Sequence, residues 1–209
     1  METVVVPGGR LKIREEDGAT RSVEIAPFRI GRMPVTNREY AAFLEARGGS
    51  PPPWWSDPNF SAPRQPVVGV TWNEAMAFCA WLGEVEGGRW RLPTEAEWEF
   101  AATGGLLAPR TAWGETIPPG EVPEGPLAGP WEAGEGTPNA YGIFDMGTIV
   151  HEWCAGWREP EANPTGLRRR ASRGGSWRHR IRWSSPSAKS SLPPDYRYSD
   201  YGFRVVKEL

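Results

Sequence analysis

Three times along the chain a threonine is followed three residues later by a glutamate, at the head of a run that a glycine pair closes. These are Thr36 and Glu39 ahead of Gly48-Gly49, Thr71 and Glu74 ahead of Gly87-Gly88, and Thr94 and Glu97 ahead of Gly104-Gly105. At such an N-cap the threonine oxygen accepts from the N3 amide while the glutamate reaches back to the cap amide, and glycine suits the residue just past the last turn. The pattern predicts three short helices. The first buries Tyr40, Phe43 and Leu44, the second Ala75, Phe78, Cys79 and Leu82, and the third Trp98 and Ala101, each at helical spacing.

The segments around the helices read as strands and loops. Glu2 to Val6, Leu11 to Arg14, Arg21 to Ile25 and Phe28 to Arg32 are strand-like runs separated by Pro7-Gly8-Gly9 and Asp17-Gly18 turns, and together they predict one small antiparallel sheet. Ile149 to Trp153, Ala171 to Trp177 and Phe203 to Lys207 read as the remaining strands. Leu106 to Pro138 shows no sustained period and reads as irregular, ordered mainly by Trp113 and Trp131. Twelve tryptophans, 25 glycines and 22 prolines in 209 residues fit this picture of large rings held between loops. Proline-rich loops also lower unfolded-state entropy, as expected of a heat-stable protein.

The chain has the length of one domain, and a net charge of -2 with 24% charged residues describes a globular protein with no general attraction to nucleic acid. No apolar run is long enough for membrane insertion, and no secretory leader is visible. The sequence does not fix a location: a cytoplasmic or phage-associated one is expected, with surface display possible through partners. Cys79 and Cys154 each sit in an aromatic-rich apolar segment, where a buried free thiol is the usual outcome.

Only two histidines exist, His151 and His179. Four soft ligands for a zinc site would have to come from two Cys and two His, and the three-residue spacing of His151 and Cys154 puts them on opposite faces of a strand, so the sequence argues against zinc. Asp145 and Glu152 flank a tight Met-Gly-Thr turn whose oxygens could suit calcium. The spacing alone favours a plainer account, in which Asp145 makes turn hydrogen bonds and Glu152 pairs with an arginine. Seven arginines between Arg168 and Arg182, interleaved with or followed by Trp177, Trp183, Tyr196, Tyr198 and Tyr201, have the composition of a binding hot spot or of a single-stranded nucleic-acid surface. A solvated basic loop is the plain alternative.

Eight ordered motifs then combine. They are Val5-Val6-Pro7-Gly8-Gly9, Pro34-Val35-Thr36-Asn37-x-x-Tyr40-x-x-Phe43, Pro66-Val67-x-x-Val70-x-Trp72, Arg91-Leu92-Pro93-Thr94-Glu95-Ala96-Glu97-Trp98-Glu99, Asn139-x-Tyr141-Gly142, Glu152-Trp153, Arg173-Gly174-Gly175-Ser176-Trp177 and Gly202-Phe203-Arg204. Across nearly the whole chain they resemble the formylglycine-generating enzyme, or sulfatase-modifying factor, family. The resemblance implies an α+β chain with a C-type lectin fold, made of small antiparallel sheets, short helices and much irregular loop. It also implies calcium ligation by the Asp145 and Glu152 side chains and the Thr148 and Val150 carbonyls. The family's oxidases hold copper with cysteines two and seven residues after the motif tryptophan, positions that are His179 and Ser184 here. Without a thiolate pair to select Cu(I), copper and oxidase activity are not expected.

The tail resembles a further branch of the same fold, the variable proteins of diversity-generating retroelements. These end in Arg-Gly-Gly-Ser-Trp, a hypervariable stretch, then Pro-Asp-x-Arg-x-x-x-x-Gly-Phe-Arg-Val-Val, which here is Pro194-Asp195-Tyr196-Arg197 followed by Gly202-Phe203-Arg204-Val205-Val206. Adenine-directed mutagenesis of asparagine codons yields many of the residue types found between the motifs, although Trp183 and Lys189 do not fit that origin. The expected function is non-catalytic binding of a protein or cell-surface ligand through a variable region at about 173–204. Its surface comprises Arg178, His179, Arg180, Arg182, Trp183, Ser184, Tyr196, Tyr198, Ser199 and Asp200. A divergent oxidoreductase and a nucleic-acid-binding module are the alternatives.

Overall fold

The three capping boxes form as the sequence requires. In each, the threonine side chain accepts from the glutamate amide and the glutamate side chain accepts from the threonine amide, opening helices α1 (Asn37–Arg47), α2 (Trp72–Glu86) and α3 (Glu95–Thr103). The second helix buries Ala75, Phe78, Cys79 and Leu82, as its spacing predicts, and α1 buries Tyr40 and Phe43 while Leu44 stays half-buried. In this computed structural model, residues 1–14, 18–121, 127–158, 166–179 and 185–209 are described.

The strands do not assemble as local patterning suggests. Strands β1 (Thr3–Val6) and β4 (Phe28–Gly31) pair antiparallel, but β2 (Gly9–Arg14) and β3 (Thr20–Ile25) form a ribbon of their own. The expected single N-terminal sheet is therefore two. The first pair is completed by β10 (Val206–Lys207) against β4 and then by β5 (Trp90–Arg91), a two-residue strand that the sequence did not signal. Alternation marks a strand but not its partner, and here the partner comes from the far end of the chain.

A second four-stranded sheet has the order β8 (Lys189–Leu192), β7 (Arg169–Arg173), β6 (His151–Arg158), β9 (Tyr201–Phe203), with only the β6–β9 pair parallel. The expected strand at Ala171 to Trp177 stops at Arg173 because Gly174 takes a left-handed φ of 80°. A Cβ there would lie 2.8 Å from the Gly147 Cα, so the motif position accepts only glycine. Likewise, a Cβ on Gly202 would lie 2.6 Å from the Val67 carbonyl oxygen.

The expected strand at Phe203 to Lys207 is in fact two, one in each sheet, with Arg204 and Val205 crossing between them. The crossing is fastened on both sides, since the Gly31 amide donates to the Val205 carbonyl at 2.8 Å and the Val35 amide donates to the Phe203 carbonyl at 2.9 Å. Two large apolar clusters lie around it. One packs Val6, Ile30, Trp98, Phe100 and Met146; the other packs Tyr40, Phe78, Trp153 and Phe203, with Phe78 and Phe203 edge to face at 5.3 Å. In the 106–138 stretch, no helix or strand occurs among the described residues; Trp113 packs on the first cluster and its ring N–H donates to Thr137. Trp131 joins a third, smaller cluster with Phe60 and Trp177. Among the described residues no helix is long and apolar enough to cross a membrane.

Candidate functional site

The parallel pairing of β6 with β9 sets His151 opposite Tyr201, and the His151 amide donates to the Asp200 carbonyl at 2.9 Å. One strand start thus lies beside the chain just ahead of the other. The third contribution comes from the turn that follows β7. Gly175 donates to the Gly147 carbonyl and Trp177 to the Ile149 carbonyl, which folds the Arg-Gly-Gly-Ser-Trp segment back along the residues preceding β6. His179 then donates to the Ser176 carbonyl at 2.9 Å, and its ring comes over His151.

The outcome is a cluster of two imidazoles and a carboxylate. His151 Nε2 lies 3.1 Å from His179 Nε2 and 3.9 Å from Asp200 Oδ2. On its other side, His151 Nδ1 lies 2.6 Å from the Gly174 carbonyl oxygen. A carbonyl can only accept, so the Nδ1 proton is assigned there and the neutral ring presents its Nε2 lone pair to His179. Burial lowers the His151 pKa below the ordinary imidazole value, prevailing over the opposite pull of Asp200 and the Gly174 carbonyl, and nearby His179 lowers it further. Asp200 is itself buried, and its Oδ2 accepts from the Ser176 hydroxyl at 2.8 Å.

An open pocket of about 450 Å³ faces this cluster. Of the residues expected on a binding surface, Arg178, His179, Tyr198 and Asp200 line it, above a floor that includes His151 and Tyr201. Arg178 and His179 are exposed, as are Tyr196 and Tyr198, although Tyr196 lies outside the pocket. Ser199 is half-buried and its carbonyl accepts from the Trp177 ring N–H at 3.2 Å. Asp200 differs from the expectation of a displayed side chain, since hydrogen bonding to Ser176 and the neighbouring strand enclose it. Arg180, Arg182, Trp183 and Ser184 lie outside the described residues.

His151 and its pairing with His179 and Asp200 were missed by sequence reasoning, which counted only Cys and His as soft ligands. Among the described residues these three form the group of His, Cys, Asp or Glu side chains whose ligand atoms lie within 4.8 Å of one another. The signal available was weak: two lone histidines and an ordinary turn aspartate.

The residues that the resemblance assigns to calcium do not fit that ion. Glu152 is fully buried, and Arg204 donates to its two carboxylate oxygens at 3.0–3.3 Å while the Trp98 ring N–H donates at 2.6 Å. Both Glu152 carboxylate oxygens are thus already engaged by N–H donors, where calcium ligation would need them free. Asp145 sits at a left-handed φ of 60° and its Oδ2 accepts from the Gly134 amide at 2.7 Å, while Thr148 and Val150 are buried. The plainer account, a turn aspartate and an arginine-paired glutamate, describes this geometry.

The described arginines of this stretch do not share one face. Arg173 is 1% exposed and forms ion pairs with Glu99 at 2.9 Å and Glu95 at 3.1 Å. Arg170 instead stacks over the rings of Trp72 and Trp157, with Arg168 on Trp157 as well. Both cysteines are free and buried.

The family model described as the sulfatase-modifying factor enzyme 1-like domain matches residues 1–209. The formylglycine-generating enzyme of Thermomonospora curvata is 29% identical, over 98% of this chain and 93% of its own length. The Mus musculus protein named inactive C-alpha-formylglycine-generating enzyme 2 is 31% identical, over 97% and 84% respectively. Among solved structures, Treponema denticola variable protein 1 superposes with a TM-score of 0.80 at 22% identity, covering 99% of this chain and 95% of that one.

Proposed function

The chain belongs to the sulfatase-modifying factor enzyme 1-like family and has its C-type lectin fold, and from that premise we propose that it is a non-catalytic member that binds a protein or cell-surface ligand. One observation carries this reading. Arg178, His179, Tyr198 and Asp200, from two segments separated by about twenty residues, meet around one open pocket whose floor is built from strand residues. The segments are knitted together beneath that surface: Ser176 bonds Asp200, Trp177 bonds Ser199, and Arg197 forms a two-pronged pair with Glu74 of α2 at 2.6 and 2.7 Å. Side chains held at the tips of such a frame lose little conformational entropy on binding, and they can change without disturbing the core.

The chemistry at the family's copper positions points the same way. His179 stands where a thiolate would be required, and the two cysteines present are buried elsewhere with raised pKa values, so neither can serve as a soft ligand for Cu(I) in this pocket. The nucleic-acid reading is weakened because Arg173 is buried against carboxylates and Arg170 is engaged by two rings.

We further read the pocket rim as the diversified surface of a retroelement variable protein. Sequencing this gene from many isolates tests it. Codons for 178–184, 196 and 198–200 should vary while Arg173 to Trp177, Arg197 and Gly202 to Val206 stay fixed, beside a reverse transcriptase gene and a near-copy of the 3′ end. Variation spread evenly over the chain would overturn the diversification. Formation of formylglycine from a cysteine-containing sulfatase peptide in the presence of copper would overturn the non-catalytic reading. Steeply salt-dependent retention of single-stranded oligonucleotides would favour nucleic acid as the ligand.

A further inference from the structure

We propose that His151, His179 and Asp200 form a binding site for one divalent first-row transition-metal ion, zinc(II) foremost, with a coordination position left open toward the pocket. Two imidazoles and a carboxylate with an open position are a donor set suited to zinc and its neighbours. With metal–ligand bonds of about 2.0–2.1 Å at tetrahedral angles, ligand atoms stand roughly 3.3–3.4 Å apart. The observed spacings of 3.1 Å between the imidazole nitrogens and 3.9 Å from His151 to Asp200 bracket that value. His179 is exposed, so its ring can rotate to close the remaining gap to Asp200.

Orientation supports the site as much as distance does. A ligating histidine usually donates its second ring N–H to a carbonyl or carboxylate, which fixes the tautomer and aims the other nitrogen at the metal. His151 makes that bond with the Gly174 carbonyl at 2.6 Å, and the Tyr201 ring, 4.8 Å away, packs against its own. Asp200 is held by the Ser176 hydroxyl at 2.8 Å, and an oxygen with two lone pairs can accept that bond and still ligate. Arg178 lines the same pocket, and a cation beside the open position favours an anionic fourth ligand such as a carboxylate.

The metal-free alternative is a simple hydrogen bond from the His179 Nε2–H to His151. It predicts a cluster that ignores zinc. The assignment does not depend on the display reading, because a metal here would serve a binding surface or a catalyst equally, and the test uses the metal alone.

Protein stripped with EDTA is titrated with Zn(II) by calorimetry and with Co(II) by visible absorption. One equivalent of Zn(II) should bind, and Co(II) should give the absorption bands of a low-coordinate nitrogen–oxygen site. His179→Ala, at an exposed position, should weaken zinc binding by about 100-fold or more, since loss of a direct ligand exceeds the 10–100-fold cost of an outer-shell change. Asp200→Asn should weaken it as well and alter the Co(II) spectrum. Metal-free melting of the variants against the parent establishes that they are folded, and His179→Gln replaces any variant that is not. Absence of stoichiometric Zn(II) binding to the parent protein, or equal binding by a folded His179 variant, would overturn the site.

Discussion

Arg204 and Glu152 form an ion pair with no exposure to water, at the point where the chain crosses from one four-stranded sheet to the other. The guanidinium also donates to the carbonyls of Gly31 at 2.8 Å and Phe144 at 2.9 Å, so one side chain ties four segments together. Such a pair is costly to break because the surviving charge is left buried and unmatched.

Glu152→Gln is expected to cost about 3–5 kcal/mol in urea unfolding, and Glu152→Gln with Arg204→Met less than the sum of the two single changes. Additivity would show that the two residues act separately. Because Arg204 occupies the carboxylate, calcium in place of EDTA should leave the melting temperature unchanged. A rise on adding calcium would mean that the ion displaces Arg204.

The link between Arg197 and Glu74 is partly exposed, so Arg197→Ala should lower global stability by only about 1 kcal/mol or less. Its local effect should be larger, because Arg197 fastens the segment carrying Tyr196, Tyr198 and Asp200 to α2 and to the Gly69 carbonyl. Amide hydrogen exchange at Tyr196 and Tyr201 is expected to accelerate while that of α2 stays slow. Unchanged exchange in the segment would remove Arg197 from the frame of the proposed binding surface.

Asp145 gives the protein a pH dependence of defined sign. Burial raises its pKa from 3.8 to about 6, against the lowering effects of the Gly134 amide and Arg204. The folded state therefore favours the protonated acid, a contribution fully present below pH 3.8 and lost as pH rises to about 6. At pH 7, Asp145→Asn should be more stable than the parent by up to about 3 kcal/mol, since two pKa units correspond to about that much and asparagine can still accept from the Gly134 amide. The advantage should shrink toward pH 4 in urea unfolding. An advantage independent of pH would show that Asp145 does not titrate in this range.

Cys79 and Cys154 are both free and buried, and burial pushes the Cys79 thiol up to about 12 and the Cys154 thiol well above its ordinary value. Neither should react with a thiol-specific reagent in the native protein at pH 8, and two thiols should react in denaturant. Rapid labelling of either in the folded protein would contradict their burial.

What could be read from the chain was short-range. Thr71 and Glu74 lie within one helical turn, so their reciprocal bonds, and the buried set Ala75, Phe78, Cys79 and Leu82, follow from spacing alone. Strand β5 is only two residues long, and β8, Lys-Ser-Ser-Leu, has no apolar alternation; both exist because a neighbour offers hydrogen bonds. Asp200 reads as a surface turn residue, yet the Ser176 hydroxyl and the start of β6 enclose it.

The sequence by itself determined the three helices, the aromatic core between loops, the family motifs, and histidine instead of cysteine at position 179. Capping, periodicity and residue identity act within a few positions, and so can be read along the chain. Only the tertiary structure decided that Glu152 takes Arg204 as its partner and that His151, His179 and Asp200 come within ligating distance of one another. Those contacts join residues 21 to 52 positions apart. Ion pairing and ligation are sensitive to displacements of about an ångström, and across such sequence separations the register of β6 against β7 and β9 sets the positions of these groups.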